Sequence, residues 1–282
     1  MSRWFDETLH AAYRQGLLEG RTLFDSETEH QRLRLFENAV FGRVLTLDGV
    51  VQVTSGDEFC YHEMLAHTPL FAHGAAKRVL IVGGGDGGIA REVLKHPDVA
   101  RVVMVEIDAG VIAFSRRFLP TVSDGAFDDA RLEVVIADGA EYIAREGESF
   151  DAIIVDSTDP IGPGEVLFTD TFYGRAKRRL APGGVLVTQN GVPFLQPEEL
   201  RNTMRAFRAL FAEATCYLTT VPTYAGGQMA LGWGTDGVLA QVDELVLAQR
   251  LAASGIEGLR YYSPAVHRAA FALPGYIAEL VG

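Results

Sequence analysis

Val79-Leu80-Ile81-Val82-Gly83-Gly84-Gly85-Asp86-Gly87-Gly88 is the stretch whose reading decides the fold. Four apolar residues, three of them β-branched, read as a strand buried on both faces of a parallel sheet. Five glycines in positions 83–88 then turn the chain into a helix starting near Ile89. Gly83, Gly85 and Gly88 have the G-x-G-x-x-G spacing, which lets a nucleoside ligand approach the backbone. Alone this pattern is weak evidence, because many folds use it. Asp86 narrows it. A carboxylate at that turn repels the pyrophosphate of a dinucleotide and attracts a cation.

Downstream, strands and helices alternate. Val102–Val105 is followed by a helix over Gly110–Phe118, Leu132–Ala137 by one over Ala140–Arg145, and Ala152–Val155 by one over Asp170–Leu180. Val185–Thr188 precedes a long helix over Glu198–Phe211, and Ala214–Thr219 and Met229–Trp233 close the sheet. This rhythm predicts an α/β fold with a doubly wound, mostly parallel, Rossmann-like sheet. Upstream, Arg21–Asp25, Gln31–Glu37, Gly42–Leu47 and Val50–Thr54 are short β-rich runs, with a hairpin signal at Asp48-Gly49. They predict a small N-terminal antiparallel β-domain over residues 1–57, led by a short helix near Glu7–Gln15, and a catalytic domain over 58–282. Glu58–His73 reads as a helix. Its His62-Glu63 pair tempts toward a zinc site, but His67 follows five residues on. That step rotates about 140° around a helix, so the two imidazoles do not share a face and no metal site is expected. The region after Gly237 reads as helical packing or an oligomer contact.

Composition bounds the function. The chain has 282 residues, 48% of them hydrophobic, enough for a large α/β core plus a small extra domain. No apolar run is long enough to span a bilayer, and Met1–Gly20 lacks a signal-peptide core, so no membrane partner is expected. Cys60 and Cys216 are the only cysteines, which fits a reducing compartment and places the chain in the cytoplasm. A formal charge of −12 disfavours nucleic-acid binding.

Ligands of such sheets sit beyond the carboxyl ends of the strands. The residues there are Asp86, Glu106, Asp138, Asp156 and Gln189, four of the five acidic. Glu106 is placed to accept from two ribose hydroxyls, its plainer alternative being a helix cap or surface acid. Asp138-Gly139 can accept from an adenine amine and can also cap the next helix. Asp156-Ser157-Thr158-Asp159-Pro160 also reads as an ordinary Asx-turn. Three carboxylates, Asp86, Asp156 and Asp159, around one crevice repel each other unless a cation or proton joins them. A cationic ligand answers this economically, whereas the sequence offers no ligand pattern for a metal.

These residues, with Asp57-Glu58-Phe59-Cys60-Tyr61-His62-Glu63-Met64, Gln189-Asn190-Gly191, Pro222-Thr223-Tyr224 and Arg260–His267, resemble the polyamine aminopropyltransferases, the bacterial spermidine synthases above all. The likeness spans nearly the whole chain. It implies a methyltransferase-type catalytic domain, a homodimer or homotetramer, and no cofactor besides the co-substrate decarboxylated S-adenosylmethionine. The implied reaction moves the aminopropyl group of that donor to putrescine, giving spermidine and methylthioadenosine. The alternative is another amine acceptor, cadaverine or spermidine, which differ from putrescine by methylenes and between which the sequence does not choose. Asp156 is then the base, with Tyr61, Ser157 and Thr158 orienting the acceptor and Asp159 holding its distal ammonium. Gln31, Asp86, Glu106, Asp138, Gly139 and Pro163 are the donor residues. Tyr224 and Gln189 match pocket positions, although core packing is the alternative for both tyrosines. His62 is expected neutral, a hydrogen-bond partner of the substrate, because an imidazolium would repel a diamine. The segment 161–164 reads as a gate that orders on ligand binding, or as an ordinary loop. The rival classes are an S-adenosylmethionine-dependent methyltransferase, an NAD-binding oxidoreductase and a silent polyamine- or nucleoside-binding module. Asp86 weighs against the first two, since two like charges ~4 Å apart at an effective dielectric of 20 cost roughly 4 kcal/mol.

Overall fold

The computed structural model describes residues 3–7, 9–28, 31–158, 162–237 and 239–282, for 162 and 163 the backbone alone. The chain opens with a hairpin of β1 (Arg3–Asp6) and β2 (Gly16–Glu19). An antiparallel meander follows: β3 (Thr22–Glu27), β4 (Arg32–Asn38), β5 (Gly42–Leu47) and β6 (Val50–Thr54). Asp48 and Gly49 turn β5 into β6 with φ of 48° and 83°, the left-handed pair such a hairpin needs.

The helix expected over Glu7–Gln15 is not formed. That stretch joins β1 to β2 and is held by tertiary bonds. Glu7 accepts from the Val51 amide at 2.7 Å, and Gln15 donates to the Thr223 carbonyl at 2.6 Å. Contacts of such sequence separation override a local helical preference.

α1 (Phe59–His73) is buried on every side, which is why its sequence shows no polar face. Then come β7 (Arg78–Gly83), α2 (Gly88–Leu94), β8 (Arg101–Glu106), α3 (Ala109–Phe118), the short α4 (Pro120–Ser123), β9 (Leu132–Ile136) and α5 (Gly139–Ala144). They are followed by β10 (Phe150–Asp156), α6 (Asp170–Arg179), β11 (Leu180–Gln189), α7 (Pro197–Leu210), β12 (Glu213–Thr219) and β13 (Met229–Thr235). The seven strands order β12-β13-β11-β10-β7-β8-β9. The five from β11 to β9 are parallel, and β13 and β12 are added antiparallel. Along β7, Val79 and Ile81 enter one core with α1 and α2, while Leu80 and Val82 enter the other with α6 and α7. Burial on both faces explains the unbroken apolar run.

The chain after Gly237 forms α8 (Glu244–Ser254), α9 (Pro264–Ala270) and α10 (Gly275–Val281). Leu247 of α8 and Ala270 of α9 join the α1 core, and Ile277 and Leu280 of α10 join the α7 core. The N-terminal meander docks on the α/β region through Leu33, Leu35, Leu45 and Val53 against Val111 and Phe114 of α3. Among the described residues no helix is long and apolar enough to cross a membrane.

Candidate active site

Strand order reverses between β7 and β10, and at such a switch point the two following loops part and leave a crevice. Gly83, at the end of β7, pairs in register with Asp156 at the end of β10. A Cβ on Gly83, whose φ is +87°, would lie 2.0 Å from the Asp156 carbonyl oxygen, so only glycine brings the two strand ends together. Above them opens a cavity of about 310 Å³. Its floor is the glycine turn with Asp86, then Glu106, Asp138 with Gly139, and Asp156 with Ser157 and Thr158. Tyr61 and His62 of α1, Gln189 and Tyr224 line one side, and Gln31 of the N-terminal domain lines another. Asp159 lies outside the described residues, as do Ile161 of the expected gate and the side chain of Pro163.

On the β8 side Glu106 is 9% exposed, and its carboxylate accepts from the Asp108 amide at 2.9 Å. Burial, reinforced by Asp108 and Asp156, lifts its pKa to about 7 despite the main-chain bonds. Gln31 donates to Asp108 at 3.3 Å, and so joins the meander to this corner. Asp138 caps α5 with Oδ1, which takes the amides of Ala140 and Glu141 at 2.7 and 3.1 Å. It lines the cavity as well, so capping and ligand contact coexist there.

Across the cavity, Tyr61 donates its hydroxyl to Asp156 Oδ1 at 2.7 Å. Burial and then the charge of Asp86 raise the Asp156 carboxyl to about 6, against the opposing pull of His62 and Tyr61. The rings of Tyr61 and Tyr224 meet edge to face at 5.9 Å, and the Tyr224 hydroxyl donates to the Gln52 carbonyl. Both tyrosines thus pack in the core and wall the cavity at once. Gln189 donates to the Thr158 carbonyl at 3.3 Å and accepts from the Gly191 amide, steadying the loop after β10. The buried Ser157 hydroxyl has no hydrogen-bond partner among the described residues.

His62 departs from expectation. Its Nδ1 lies 2.6 Å from Glu58 and its Nε2 3.4 Å from Asp86. Burial alone would push the imidazole down, but Asp86 and then Glu58 outweigh it and raise the pKa to about 10. Against the expected neutral ring, a carboxylate stands at each nitrogen of His62, and the pair favours its protonated form. His67 reaches the same neighbouring helix, one turn further along. It bonds Glu92 at 2.8 Å and His96 at 2.9 Å. The 140° step does not keep the two histidines from one charge network, since Arg91 pairs with both the Glu58 of His62 and the Glu92 of His67. Among the described residues no group of three ligating side chains is placed to hold a metal ion.

Two features escaped the sequence reading. One is the lip supplied by Glu7, Leu9 and His10, which a helix assignment hid. The other is the pairing of Glu58 with Arg91 at 2.8 Å. The spacing of Glu58 and His62, four apart on one helix, was the available signal for the second.

The family description "Spermine/spermidine synthase domain" matches residues 58–245, and "Spermidine synthase tetramerisation domain" matches 4–55. A polyamine aminopropyltransferase of a Ruegeria species is 64% identical over 98% of both chains. Polyamine aminopropyltransferase 1 of Pseudomonas aeruginosa is 53% identical over 99% of this chain and 97% of its own. A crystal structure of spermidine synthase with the transition state analogue AdoDATO superposes at a TM-score of 0.94 and 37% identity, covering 100% of this chain and 97% of the other. The spermidine synthase of Thermotoga maritima gives 0.91 and 35%, covering 100% and 96%. Glycine turn, acidic strand ends and relatives of nearly full length agree, and the chain belongs to the spermidine synthase family of enzymes, the polyamine aminopropyltransferases.

Proposed function

We propose that the enzyme transfers the aminopropyl group of decarboxylated S-adenosylmethionine to putrescine, releasing spermidine and methylthioadenosine. The observation that carries this reading is the facing pair Asp86 and Asp156, two acids on the wall of one cavity at the sheet's switch point. Two cationic amines suit such a wall. In this reading Glu106 accepts from the donor's ribose, Asp138 and Gly139 meet the adenine, Gln31 and Pro163 border the nucleoside, and Asp86 faces the aminopropyl ammonium. Asp156 and Asp159 hold the acceptor, with Tyr61, Tyr224, Ser157 and Thr158 around it.

The acceptor's ordinary pKa is ~10, so about one molecule in a thousand carries a free lone pair at neutral pH. The lone pair attacks the methylene beside the sulfonium, the C–S electrons return to sulfur, and the nitrogen's proton passes to Asp156. A carboxyl raised by burial and by the charge of Asp86 is a stronger base than an ordinary aspartate. Holding both reactants in line supplies a further large share of the rate. The enzyme would work in the cytoplasm as a homodimer or homotetramer, without a metal or resident cofactor.

Incubation with putrescine and each form of the sulfonium donor tests the reading. Methylthioadenosine forms only with the decarboxylated donor. Methyl transfer from intact S-adenosylmethionine, or no product from either, would overturn it in favour of a methyltransferase or a silent binding module.

A further inference from the structure

Glu58 and Arg91 take no part in the cavity wall, yet they connect to it through His62. Arg91 grips Glu58 with two nitrogens, at 2.8 and 3.1 Å. It is itself fixed by the Val122 carbonyl at 2.7 Å and by Glu92 at 2.6 Å. Glu58 meets His62 Nδ1 at 2.6 Å, and His62 Nε2 faces Asp86 Oδ2 at 3.4 Å. The other Asp86 oxygen accepts from the Gly88 amide at 2.7 Å. The imidazole also lies flush on the start of α2, since a Cβ on Gly88 would come within 2.2 Å of its Cε1. Asp86 is thus pinned at one oxygen by main chain and at the other by a ring that cannot swing away.

A neutral imidazole has one N–H and one lone pair. With a carboxylate at each nitrogen, the lone pair would face an oxygen on one side or the other. Both nitrogens therefore carry protons. We propose that Glu58, braced by Arg91, is a positioning residue for donor selection: it keeps His62 doubly protonated, and His62 keeps the Asp86 carboxylate aimed at the donor's amine. The identity of the donor rests on the reading above. The groups facing His62 from all sides agree with this role. Glu58 and Tyr61 come from its own helix, Asp86 from the glycine turn, Asp156 from β10, and Arg91 stands behind Glu58 on α2. Glu58 is itself drawn down to about 2, against burial, by His62 and then Arg91, as expected for a fixed ion pair. Without the Glu58 charge, His62 loses its second proton more readily. Its one remaining N–H then faces Asp86 from Nε2, and a neutral donor holds that carboxylate more weakly than an imidazolium does.

The test is Glu58→Gln, which keeps shape and removes charge. In ¹⁵N-histidine spectra the wild-type His62 stays doubly protonated from about pH 6 to about pH 9, whereas in E58Q it titrates inside that window. At about pH 8.5 the KM of E58Q for decarboxylated S-adenosylmethionine rises about fivefold, the difference between a charge-assisted and a neutral hydrogen bond. The KM for putrescine stays near wild type, because Tyr61 still holds Asp156. At about pH 6 the donor defect shrinks as the imidazole regains its proton, a rescue that a merely structural lesion would not show. Arg91→Lys keeps a cation behind Glu58 and retains the wild-type histidine spectrum. A singly protonated His62 in the wild type at neutral pH overturns the proposal and needs no variant. So does an E58Q enzyme with a pH-independent loss shared by both substrates. A doubly protonated His62 in a protein that transfers no aminopropyl group supports the clamp and overturns the functional reading instead.

Discussion

Acids are withdrawn from water both at the strand ends and in the seam between α1 and α2, and the outcomes are opposite. At the strand ends Asp156 rises to about 6 and Glu106 to about 7. In the seam Glu58 falls to about 2, and Glu92 is also held well below the usual carboxylate range. The two regions differ in who provides the cation. In the seam Arg91 pairs with both Glu58 and Glu92, and Lys95 and His67 reach Glu92 as well. At the strand ends His62 is the cation that faces Asp86, and the Asp156 carboxylate is met by a phenol. Acids that the protein's own cations surround are lowered, and acids at the cavity, where burial and like charge outweigh one imidazole, are raised.

Replacing the acids one at a time puts that contrast to the test. The largest effect is expected for Asp156→Asn, with turnover falling about 10²–10⁴-fold and donor binding retained by calorimetry. Its melting temperature should rise at the same time. A carboxyl raised from 3.8 to about 6 gives stability that is present below 3.8 and lost as pH rises through about 6. The gain from Asn therefore appears above about pH 6 and vanishes in acid. Asp86→Asn comes next: relief of up to about 4 kcal/mol of like-charge repulsion lets S-adenosylmethionine, with its carboxylate, compete for the donor site. Inhibition constants for the two donor forms should converge. In the seam, Glu92→Gln does the reverse of Asp156→Asn. It leaves turnover near wild type and costs about 3 kcal/mol in urea unfolding, because buried cations lose their partner. Since Glu92 is lowered in the fold, that loss is fully felt above its ordinary value of 4.5 and fades as pH falls below it. The smallest effect belongs to Tyr61→Phe. Without the phenol the Asp156 carboxyl rises further, and the acidic limb of kcat/KM, expected near pH 6, moves up by about one unit.

Much of this was legible beforehand. The strand–helix alternation after Lys77 needs no long-range information, because a parallel strand buried on both faces must be apolar throughout. The strand-end acids follow from it, as does their convergence on one crevice. The stretch Glu7–Gln15 was misread because its conformation depends on Val51 and Thr223, far along the chain. The two carboxylates that flank His62 are hidden from the sequence for a similar reason. Its Glu58 partner is local, but Asp86 arrives across a glycine turn, and Arg91 comes from the helix that Gly88 allows to pack against the ring.

The sequence by itself determined the order of strands and helices, the glycine turn and the acidic strand ends, because periodicity and backbone freedom are local properties. Which buried acids are neutralised by the protein's own cations, and which face the cavity, follows from packing between distant segments. That depends on contacts of 2.7–3.4 Å between residues far apart in the chain, where the balance of burial against neighbouring charge is set.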